Sequence, residues 1–392
     1  MSSTGASSNQ FVAGPAVSGA KFFGRQSILS TIGGAAASGM SILLVGERRI
    51  GKSSILKQVQ RLCLDGEFPE PGGQAVIEVS GGLASSESDK TPEFIRQLAQ
   101  RLRSWIERRR PDLTAAVSGL NAHEIDPLAM SECLLELREH GVRILLLFDE
   151  LDSAVRDGSR QTAAVLRQML TEGLLVAIAT SYEEPDRINP ASPAASHWWN
   201  VFRVESVGLM EEAEARKLLT VLSRESGREF SKAECSFLID VFGRTPFYLQ
   251  TVGSYVFLRT DFVSCKASQR SHRITEASNQ SAAQLAYHFQ YAIDHLGADA
   301  VALLQRIANE KSVRGGRELE ILERRGLLVR EDDDRAQVFS RSFAEFLKEL
   351  PEASMIDKVK DSKAWDAICA ATGKAFQAGL VKAIEIAAQH YL

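Results

Sequence analysis

A short stretch near the amino terminus has the residue types and the spacing of a phosphate-binding loop. Gly46-Glu47-Arg48-Arg49-Ile50-Gly51-Lys52-Ser53 fits the pattern G-x-x-x-x-G-K-[ST] without a mismatch. The two glycines let the backbone curl so that successive N–H groups point at phosphate oxygens, and Lys52 brings a compact cation to the β- and γ-oxygens. The hydroxyl of Ser53 can ligate Mg²⁺. The stretch predicts a site for a nucleoside triphosphate with magnesium.

Two acidic residues follow a second apolar run further along the chain. The run Arg143–Phe148 is followed directly by Asp149-Glu150-Leu151-Asp152. An aspartate at the end of a buried strand is what the magnesium shell of a P-loop enzyme requires, and we assign that role to Asp149. Glu150 is then placed to orient and deprotonate the attacking water. The alternative is that these acids only cap the following helix, as Asp152 can do.

Two hydroxyl side chains end a third apolar run, Leu174–Ala179. A hydroxyl at Thr180 can sense the γ-phosphate through a hydrogen bond, although threonine and serine at strand ends also serve simply as turn residues. The sequence has no N-K-x-D motif of the kind that selects guanine. We therefore expect ATP and ADP as the nucleotides, with Mg²⁺ as the cofactor.

Apolar runs that alternate with helical patterns predict the fold around these residues. Up to about Pro190, the runs are Ser41–Val45, Ala75–Val79, Val142–Phe148 and Leu174–Ala179. They carry few polar residues, as strands covered on both faces should. The pattern predicts an α/β P-loop NTPase domain, a parallel sheet flanked by helices.

Beyond Val207 the pattern changes to helices. Helical spacing at 210–223, 231–242, 246–258 and 281–308 predicts an all-helical domain. Helices near Ala298–Ala308 and Glu318–Arg324 precede two short strand patterns separated by the acidic run Glu331–Asp334, and this order predicts a winged helix. The expected divisions are a flexible leader (1–20), the P-loop NTPase domain (21–207), a helical lid (208–295), the winged helix (296–350) and an Ala-rich helical tail (351–392).

Four segments together resemble the signal-transduction ATPases with numerous domains (STAND NTPases), relatives of AAA+ and archaeal-type ATPases. They are Phe22-Phe23-Gly24-Arg25, the P-loop variant Gly46–Ser54, Gly243–Leu249 and Val338–Phe343, and the resemblance spans roughly residues 11–349. It implies that the first segment packs beside the adenine and that Pro246 touches it. The nucleotide contacts that follow from the loop and the resemblance are Gly24, Arg25, Gly46, Arg49, Ile50, Gly51, Lys52, Ser53, Ser54, Thr180, Pro246 and Ser340.

The sequence departs from the family pattern at a few positions. Gln26 stands where the first segment usually has Glu, and Tyr182 follows Ser181 where many members have an Arg. Eukaryotic relatives have a His in the winged helix that holds the β-phosphate of ADP, and Ser340 occupies that position here. The departures at Tyr182 and Ser340 bear on how firmly ADP locks a resting state.

Composition limits the class of protein. The 392 residues carry a formal net charge of −4, which disfavours a globally basic nucleic-acid binder. Five scattered cysteines without a C-x-x-C pair indicate reduced thiols in a cytoplasmic protein rather than a disulfide framework or a zinc site. No apolar run approaches the ~20 residues that span a bilayer, and the serine- and glycine-rich start is not a secretory signal.

The leading expectation is a slow ATPase that acts as a switch in signalling or bacterial defence, closed with ADP and open or homo-oligomeric with ATP. Because sensor repeats are absent, we expect a protein partner or effector at the tail. Arg48 and Arg49 either reach a neighbouring subunit's nucleotide or stay solvated. The runner-up is a DNA-acting ATPase of the origin-loading or transposition-helper type. The acidic run Glu331–Asp334 would repel phosphates and argues against nucleic acid.

Overall fold

A computed structural model describes residues 9–68, 74–81, 91–121, 126–156, 160–188, 198–310, 313, 316–330, 335–352 and 363–392. The chain forms two compact units. The sheet unit comprises 16–46 and 52–206, and the helical unit comprises the chain up to Pro15, residues 47–51 and residues 207–392. The middle of the predicted phosphate loop therefore packs with the helical unit.

The sheet unit is built on five parallel strands. They are β1 (Ser41–Val45), β2 (Gln74–Ser80), β3 (Arg143–Asp149), β4 (Val176–Ser181) and β5 (Phe202–Ser206), in the order β2-β3-β4-β1-β5. The first four contain the predicted apolar runs, and every residue of β1 is buried. β5 lies at an edge and exposes Arg203 and Val204, which is why it lacks a continuous apolar run.

Helices cover the faces of this sheet. They are α1 (Gln26–Ala37), α2 (Lys52–Leu64), α3 (Thr91–Arg109), α4 (Pro127–Glu139), α5 (Leu151–Arg156), α6 (Arg160–Thr171) and α7 (Pro185–Ile188). The core between them is apolar and includes Phe94 stacked on Phe148, with ring centroids 5.2 Å apart. Because β4 lies between β1 and β3, the carboxyl ends of these three strands share one edge of the sheet, where ligands bind in open α/β folds.

The helical unit contains eight helices and one hairpin within the part of the chain that the structure describes. In order they are α8 (Glu212–Glu225), α9 (Lys232–Phe242), α10 (Pro246–Arg259), α11 (Arg270–Asp294), α12 (Ala298–Ala308), α13 (Arg317–Arg324), the antiparallel strands β6 (Leu328–Arg330) and β7 (Ala336–Val338), α14 (Arg341–Glu349) and α15 (Lys363–Tyr391). The series from α12 to α14 has the predicted order of a winged helix.

The helical spacing at 281–308 belongs to two helices, the second of which is the one predicted near Ala298–Ala308. α11 begins earlier, at Arg270, and ends at Asp294, and Gly297 is the N-cap of α12. Glycine has a high entropic cost inside a helix and often stands at its ends, so the break falls where the sequence has this residue. Helical spacing alone does not show such a break.

Residues 9–20 differ from the flexible leader that their composition predicts. In the helical unit, Phe11 is buried over Gly253 and stacks on Phe257, with ring centroids 5.6 Å apart. In the sheet unit, the N–H groups of Val17 and Gly19 donate to side chains of α2. One aromatic anchor and these hydrogen bonds hold a segment that is otherwise small and polar. The other part of the predicted leader, residues 1–8, lies outside the described residues.

The carboxy-terminal helix α15 buries its apolar face inside the helical unit. Phe376, Leu380 and Ile384 are fully buried, and Phe376 contacts Phe346 with ring centroids 5.4 Å apart. The indole N–H of Trp365 donates to Asp294 at 3.0 Å. The apolar face of the tail is therefore already covered, and the protein partner predicted at the tail would contact its polar face.

The predictions from composition about membrane spans and cysteines can be compared with the structure. Across the described ranges, no helix combines the length and apolarity needed to cross a membrane. Cys63, Cys133, Cys235 and Cys265 are free and buried. Burial raises the pKa of the Cys133 thiol to about 11, so this thiol is inert at neutral pH.

Candidate functional site

The two ends of the phosphate loop lie in the sheet unit. The N–H of Gly46, directly after β1, donates to the carbonyl of Ser181 at the end of β4, at 3.3 Å. Lys52 is the first residue of α2, and its Nζ donates to the Gly46 carbonyl at 2.7 Å. The lysine therefore closes the loop on itself and keeps its cation at the loop, beside a helix N-terminus that favours anions.

The two serines after Lys52 have different surroundings. Ser53 is exposed on the first turn of α2, so its hydroxyl is accessible to a ligand. The Oγ of Ser54 accepts a hydrogen bond from the N–H of Val17 at 3.1 Å. The structure thus gives Ser54 a role in holding the amino-terminal segment, and its predicted nucleotide contact stays a prediction.

A hydrogen-bonded group of three residues lies where β3 and β4 end. Asp149 is the last residue of β3 and is partly exposed. The hydroxyl of Thr180 donates to Asp149 Oδ1 at 2.5 Å and accepts from the N–H of Glu150 at 2.9 Å. The three residues that the sequence singles out at strand ends are therefore in direct contact. Thr180 is fully buried and its single hydroxyl proton goes to Asp149, and its predicted contact with the γ-phosphate stays a prediction.

The backbone at Glu150 is held in an unusual conformation. Its φ is 55°, in the left-handed region that non-glycine residues rarely adopt. The side chain is exposed. Gly81 packs against the same backbone, where a Cβ would come within 2.2 Å of the Glu150 carbonyl oxygen. Gly81 is not among the residues predicted from the sequence, and the signal available was a glycine two residues after the predicted strand Ala75–Val79.

Asp152 does not simply cap the following helix. It is buried in the first turn of α5, and its carboxylate accepts a hydrogen bond from the N–H of Tyr182 at 3.1 Å. This bond ties α5 to the end of β4. Among the acids that follow β3, Asp152 is structural, whereas Asp149 and Glu150 have side chains that a ligand can reach.

The middle of the phosphate loop has its contacts in the helical unit. Glu47 forms a buried ion pair with Arg325, whose Nε donates to Glu47 Oε1 at 2.6 Å. The guanidinium of Arg48 lies 4.3 Å from the centroid of the Tyr291 ring, and that of Arg49 lies 4.9 Å from the Phe247 ring. Such cation–π contacts hold both side chains. Arg48 nevertheless remains exposed and Arg49 is half-buried, and a reach to a neighbouring subunit's nucleotide stays a prediction.

Two titratable side chains beside this loop have shifted pKa values. Burial, followed by the positive charges of Arg49 and Arg48, lowers the pKa of His288 to about 4. Burial, followed by the negative charge of Glu47, raises the pKa of the Tyr248 phenol. Both groups are therefore neutral at physiological pH.

The residues that carry the family resemblance have mostly structural contacts. Pro246 is the first residue of α10, and a Cβ on Gly51 would lie 3.9 Å from its ring. A Cβ on Gly243 would come within 2.6 Å of Phe339, so only glycine fits there, with its φ of 73°. Ser340 caps α14 by accepting from the N–H of Phe343 at 3.2 Å. Its proposed contact with a β-phosphate stays a prediction.

Other predicted contact residues adopt specialised backbone conformations. Gly24 and Arg25, directly before α1, have φ values of 70° and 68°. In the loop, Arg49 has a φ of 68° and Gly51 a φ of 108°, and Ile50 is buried. These conformations turn the backbone sharply at both segments. The nucleotide contacts predicted for them stay predictions.

The donor atoms present suit magnesium better than a transition metal. In the described parts of the chain, no group of three or more His, Cys, Asp and Glu side chains could hold a metal ion. Ser53 and Asp149 offer a hydroxyl and a carboxylate oxygen, and Mg²⁺ is typically held by one or two such protein ligands together with phosphates and waters. The residues therefore fit a magnesium ion that arrives with a nucleotide.

Comparison with known proteins supports the fold. No protein-family model matches this sequence, and no curated protein matches it. The structure is similar to a Walker-type ATPase of Pyrococcus abyssi, with a TM-score of 0.57 at 18% identity, over 86% of this chain and 99% of that chain. This similarity shows that the chain has the fold of a P-loop ATPase.

Two other solved structures align over most of their lengths. The Orc2 protein of Aeropyrum pernix, in ADPNP–ADP complexes, has a TM-score of 0.49 at 10% identity, over 95% of this chain and 98% of that chain. A point variant of Thermotoga maritima RuvB has a TM-score of 0.45 at 12% identity, over 84% of this chain and 97% of that chain.

Proposed function

We propose that this protein binds and hydrolyses ATP with magnesium. The observation that carries the proposal is the contact of Thr180 with both Asp149 and Glu150, on the sheet edge where Lys52 closes the phosphate loop. A lysine, a hydroxyl and two acids at that edge are the groups that phosphoryl transfer to water uses. The P-loop ATPase fold is in accord with this assignment.

Each residue has one role in the proposed reaction. Lys52 exchanges the Gly46 carbonyl for phosphate oxygens and neutralises charge on the transferring group. Ser53 and Asp149 hold Mg²⁺, which supplies further charge neutralisation when it is bound. The exposed carboxylate of Glu150 accepts a proton from the attacking water. Thr180 holds the Asp149 carboxylate and the Glu150 backbone in position through its two hydrogen bonds.

We further propose that hydrolysis is slow and that the nucleotide sets a conformational state, closed with ADP and open or oligomeric with ATP. Two observations support a switch of the STAND type. The four segments of the resemblance lie on both units, and residues 47–51 of the phosphate loop have their contacts in the helical unit. A ligand shifts such an equilibrium only by its differential affinity for the two states. Signalling or defence, with a separate protein as effector, is the role we infer for this switch.

The loop lysine gives the direct test of nucleotide binding. Lys52→Ala removes the cation at the β- and γ-phosphates, and we expect the affinity for ATP and ADP in calorimetric titrations to fall by about 100-fold or more. Lys57→Ala is the matched control, because Lys57 is an exposed lysine on the same helix that contacts only the carbonyl of Ala16 among the described residues. Equal affinity of Lys52→Ala and wild type would refute the assignment of the loop.

A DNA-acting ATPase is the second candidate. The observation that favours it is the order of elements from α12 to α14, since winged helices also serve as DNA-binding modules. The acidic run Glu331–Asp334 lies outside the described residues, so its argument against DNA rests on charge alone. We expect no appreciable binding of duplex DNA at physiological salt in either nucleotide state. Fluorescence anisotropy that shows tight, salt-dependent binding would favour this candidate instead.

A further inference from the structure

Arg325 is distant in sequence from the phosphate loop but contacts it directly. It is the C-cap residue of α13 in the winged helix, and its guanidinium pairs through two nitrogens with Glu47, the second residue of the loop. Both side chains are buried, with exposed fractions of 5% for Arg325 and 7% for Glu47. When a carboxylate and a guanidinium are both buried, removing one of them leaves the charge of the other uncompensated, which is strongly destabilising.

The charge of Glu47 explains why this pair bears on nucleotide binding. A carboxylate one residue after Gly46 lies in a loop whose expected ligand carries several negative charges. Paired with Arg325, it is neutralised, and the loop keeps the conformation in which Arg49 and Gly51 have left-handed backbones. Without the charge of Arg325, it would repel phosphate oxygens in surroundings of low dielectric constant. The pair thus affects the ligand site through charge as well as through packing.

The loop's other contacts in the helical unit are of a weaker kind. Arg48 lies over Tyr291 and Arg49 over Phe247, and both side chains belong to the loop itself. Arg325, in the winged helix, places a positive charge against the negative charge of Glu47 in the loop. Its backbone N–H also bonds back to Ile321, so the guanidinium is mounted on the end of α13.

We infer that Arg325 is a positioning residue for the phosphate loop, and that through Glu47 the winged helix sets the affinity of the loop for nucleotide. This inference rests on the proposed function and names the contact by which the winged helix and the bound nucleotide influence each other. By linkage, a winged helix that withdraws Arg325 weakens ADP binding, and ADP strengthens the pair.

A double-mutant cycle measured with a fluorescent ADP analogue tests the inference. We expect Arg325→Gln to weaken ADP binding by about tenfold, because it leaves the Glu47 carboxylate unpaired beside the phosphates. Glu47→Gln removes that charge, so adding Arg325→Gln in this background should weaken binding by less than about threefold. Equal losses in the two backgrounds, or no loss in either, would overturn the inference.

A matched buried pair separates this effect from loss of stability. Arg270 pairs with Glu234 in the same helical unit, with exposed side-chain fractions of 19% and 5%, and this ion pair does not include a residue of the loop. Arg270→Gln should lower the unfolding midpoint as Arg325→Gln does but leave the affinity for ADP unchanged. If it weakens ADP binding equally, general destabilisation is the cause and the inference is wrong. If wild-type protein binds no nucleotide, the proposed function fails together with the inference, whereas tight wild-type binding without coupling overturns the inference alone.

Discussion

The sheet edge and the surroundings of residues 47–51 hold their functional residues by different interactions. At the sheet edge, Thr180 fixes Asp149 and Glu150 through hydrogen bonds of 2.5 and 2.9 Å. In the helical unit, the loop arginines lie over aromatic rings and Glu47 pairs with a buried guanidinium. A short hydrogen bond specifies the position of an atom, as the 2.6 Å bond of Arg325 to Glu47 also does, whereas the cation–π contacts of Arg48 and Arg49 tolerate small shifts. The proposed chemical step and the proposed conformational response can therefore be tested by separate substitutions.

Truncation of a buried aromatic ring in the helical unit has the largest expected effect on stability. Phe339 is buried against Tyr248 and Phe343, with ring centroids 5.9 and 5.1 Å away. Phe339→Ala should lower the free energy of unfolding by about 3–5 kcal/mol in urea denaturation, because it leaves a cavity. It should also speed the release of ADP. Tyr287→Ala, at a ring that is 67% exposed, is the control and should cost about 0.5 kcal/mol or less. A loss below about 1 kcal/mol for Phe339→Ala would mean that the cluster is not a stabilising core.

Substitutions of Thr180 test the hydrogen bonds at the sheet edge. Thr180→Val keeps the shape of the side chain but removes the donor to Asp149 and the acceptor for the Glu150 N–H. We expect kcat for ATP hydrolysis to fall about tenfold, near 1.4 kcal/mol, with KM changed less than about threefold. Thr180→Ser retains the hydroxyl and should restore most of the rate. A rise in KM at constant kcat would instead place Thr180 in substrate binding.

The smallest effect concerns the pH dependence of the helical unit. The pKa of His288 is about 4 in the folded protein, from burial and then from Arg49 and Arg48, against an ordinary value of about 6.5. Between these pH values the unfolded chain binds the proton and the folded chain does not. Stability should therefore fall as the pH is lowered from about 6.5 toward 4 and should not depend on this group above 6.5.

Urea midpoints at about pH 7 and pH 5 measure this dependence. His288→Gln should reduce the loss of stability on acidification, and His272→Gln, at an exposed histidine, should leave it unchanged. An identical loss in wild type and His288→Gln would show that other groups cause it.

The sequence predicted the sheet side of the molecule better than the helical side. β1 has the predicted bounds, and the loop, Asp149 and Glu150 lie directly after predicted strands, because fully buried parallel strands are recognisable as apolar runs. The contact of Thr180 with both acids needs the strand order, in which β4 lies between β1 and β3. No local pattern reveals that order.

The helical side depends on long-range contacts that the sequence does not display. The pair of Glu47 and Arg325 joins residues 278 positions apart, and Phe11 is seated on Gly253 by a fit that composition cannot show. The resemblance predicts a nucleotide contact for Ser340, whereas in the structure this residue is the N-cap of α14. The sequence predicts the helix of the tail but does not show what its apolar stripe packs against, which in the structure is α11 and α14.

Hydrolysis by the Glu150→Gln variant tests the central claim most directly. The substitution keeps the shape of the side chain and removes the base, so we expect the variant to bind ATP as wild type does and to hydrolyse it about 10²- to 10⁴-fold more slowly. Single-turnover assays with radiolabelled ATP give the rate, and the nucleotide recovered from the protein shows whether ATP persists. Bound ATP that stays intact in Glu150→Gln and becomes ADP in wild type is the predicted result. Hydrolysis at the wild-type rate in the variant, or no hydrolysis by wild type, would contradict the account.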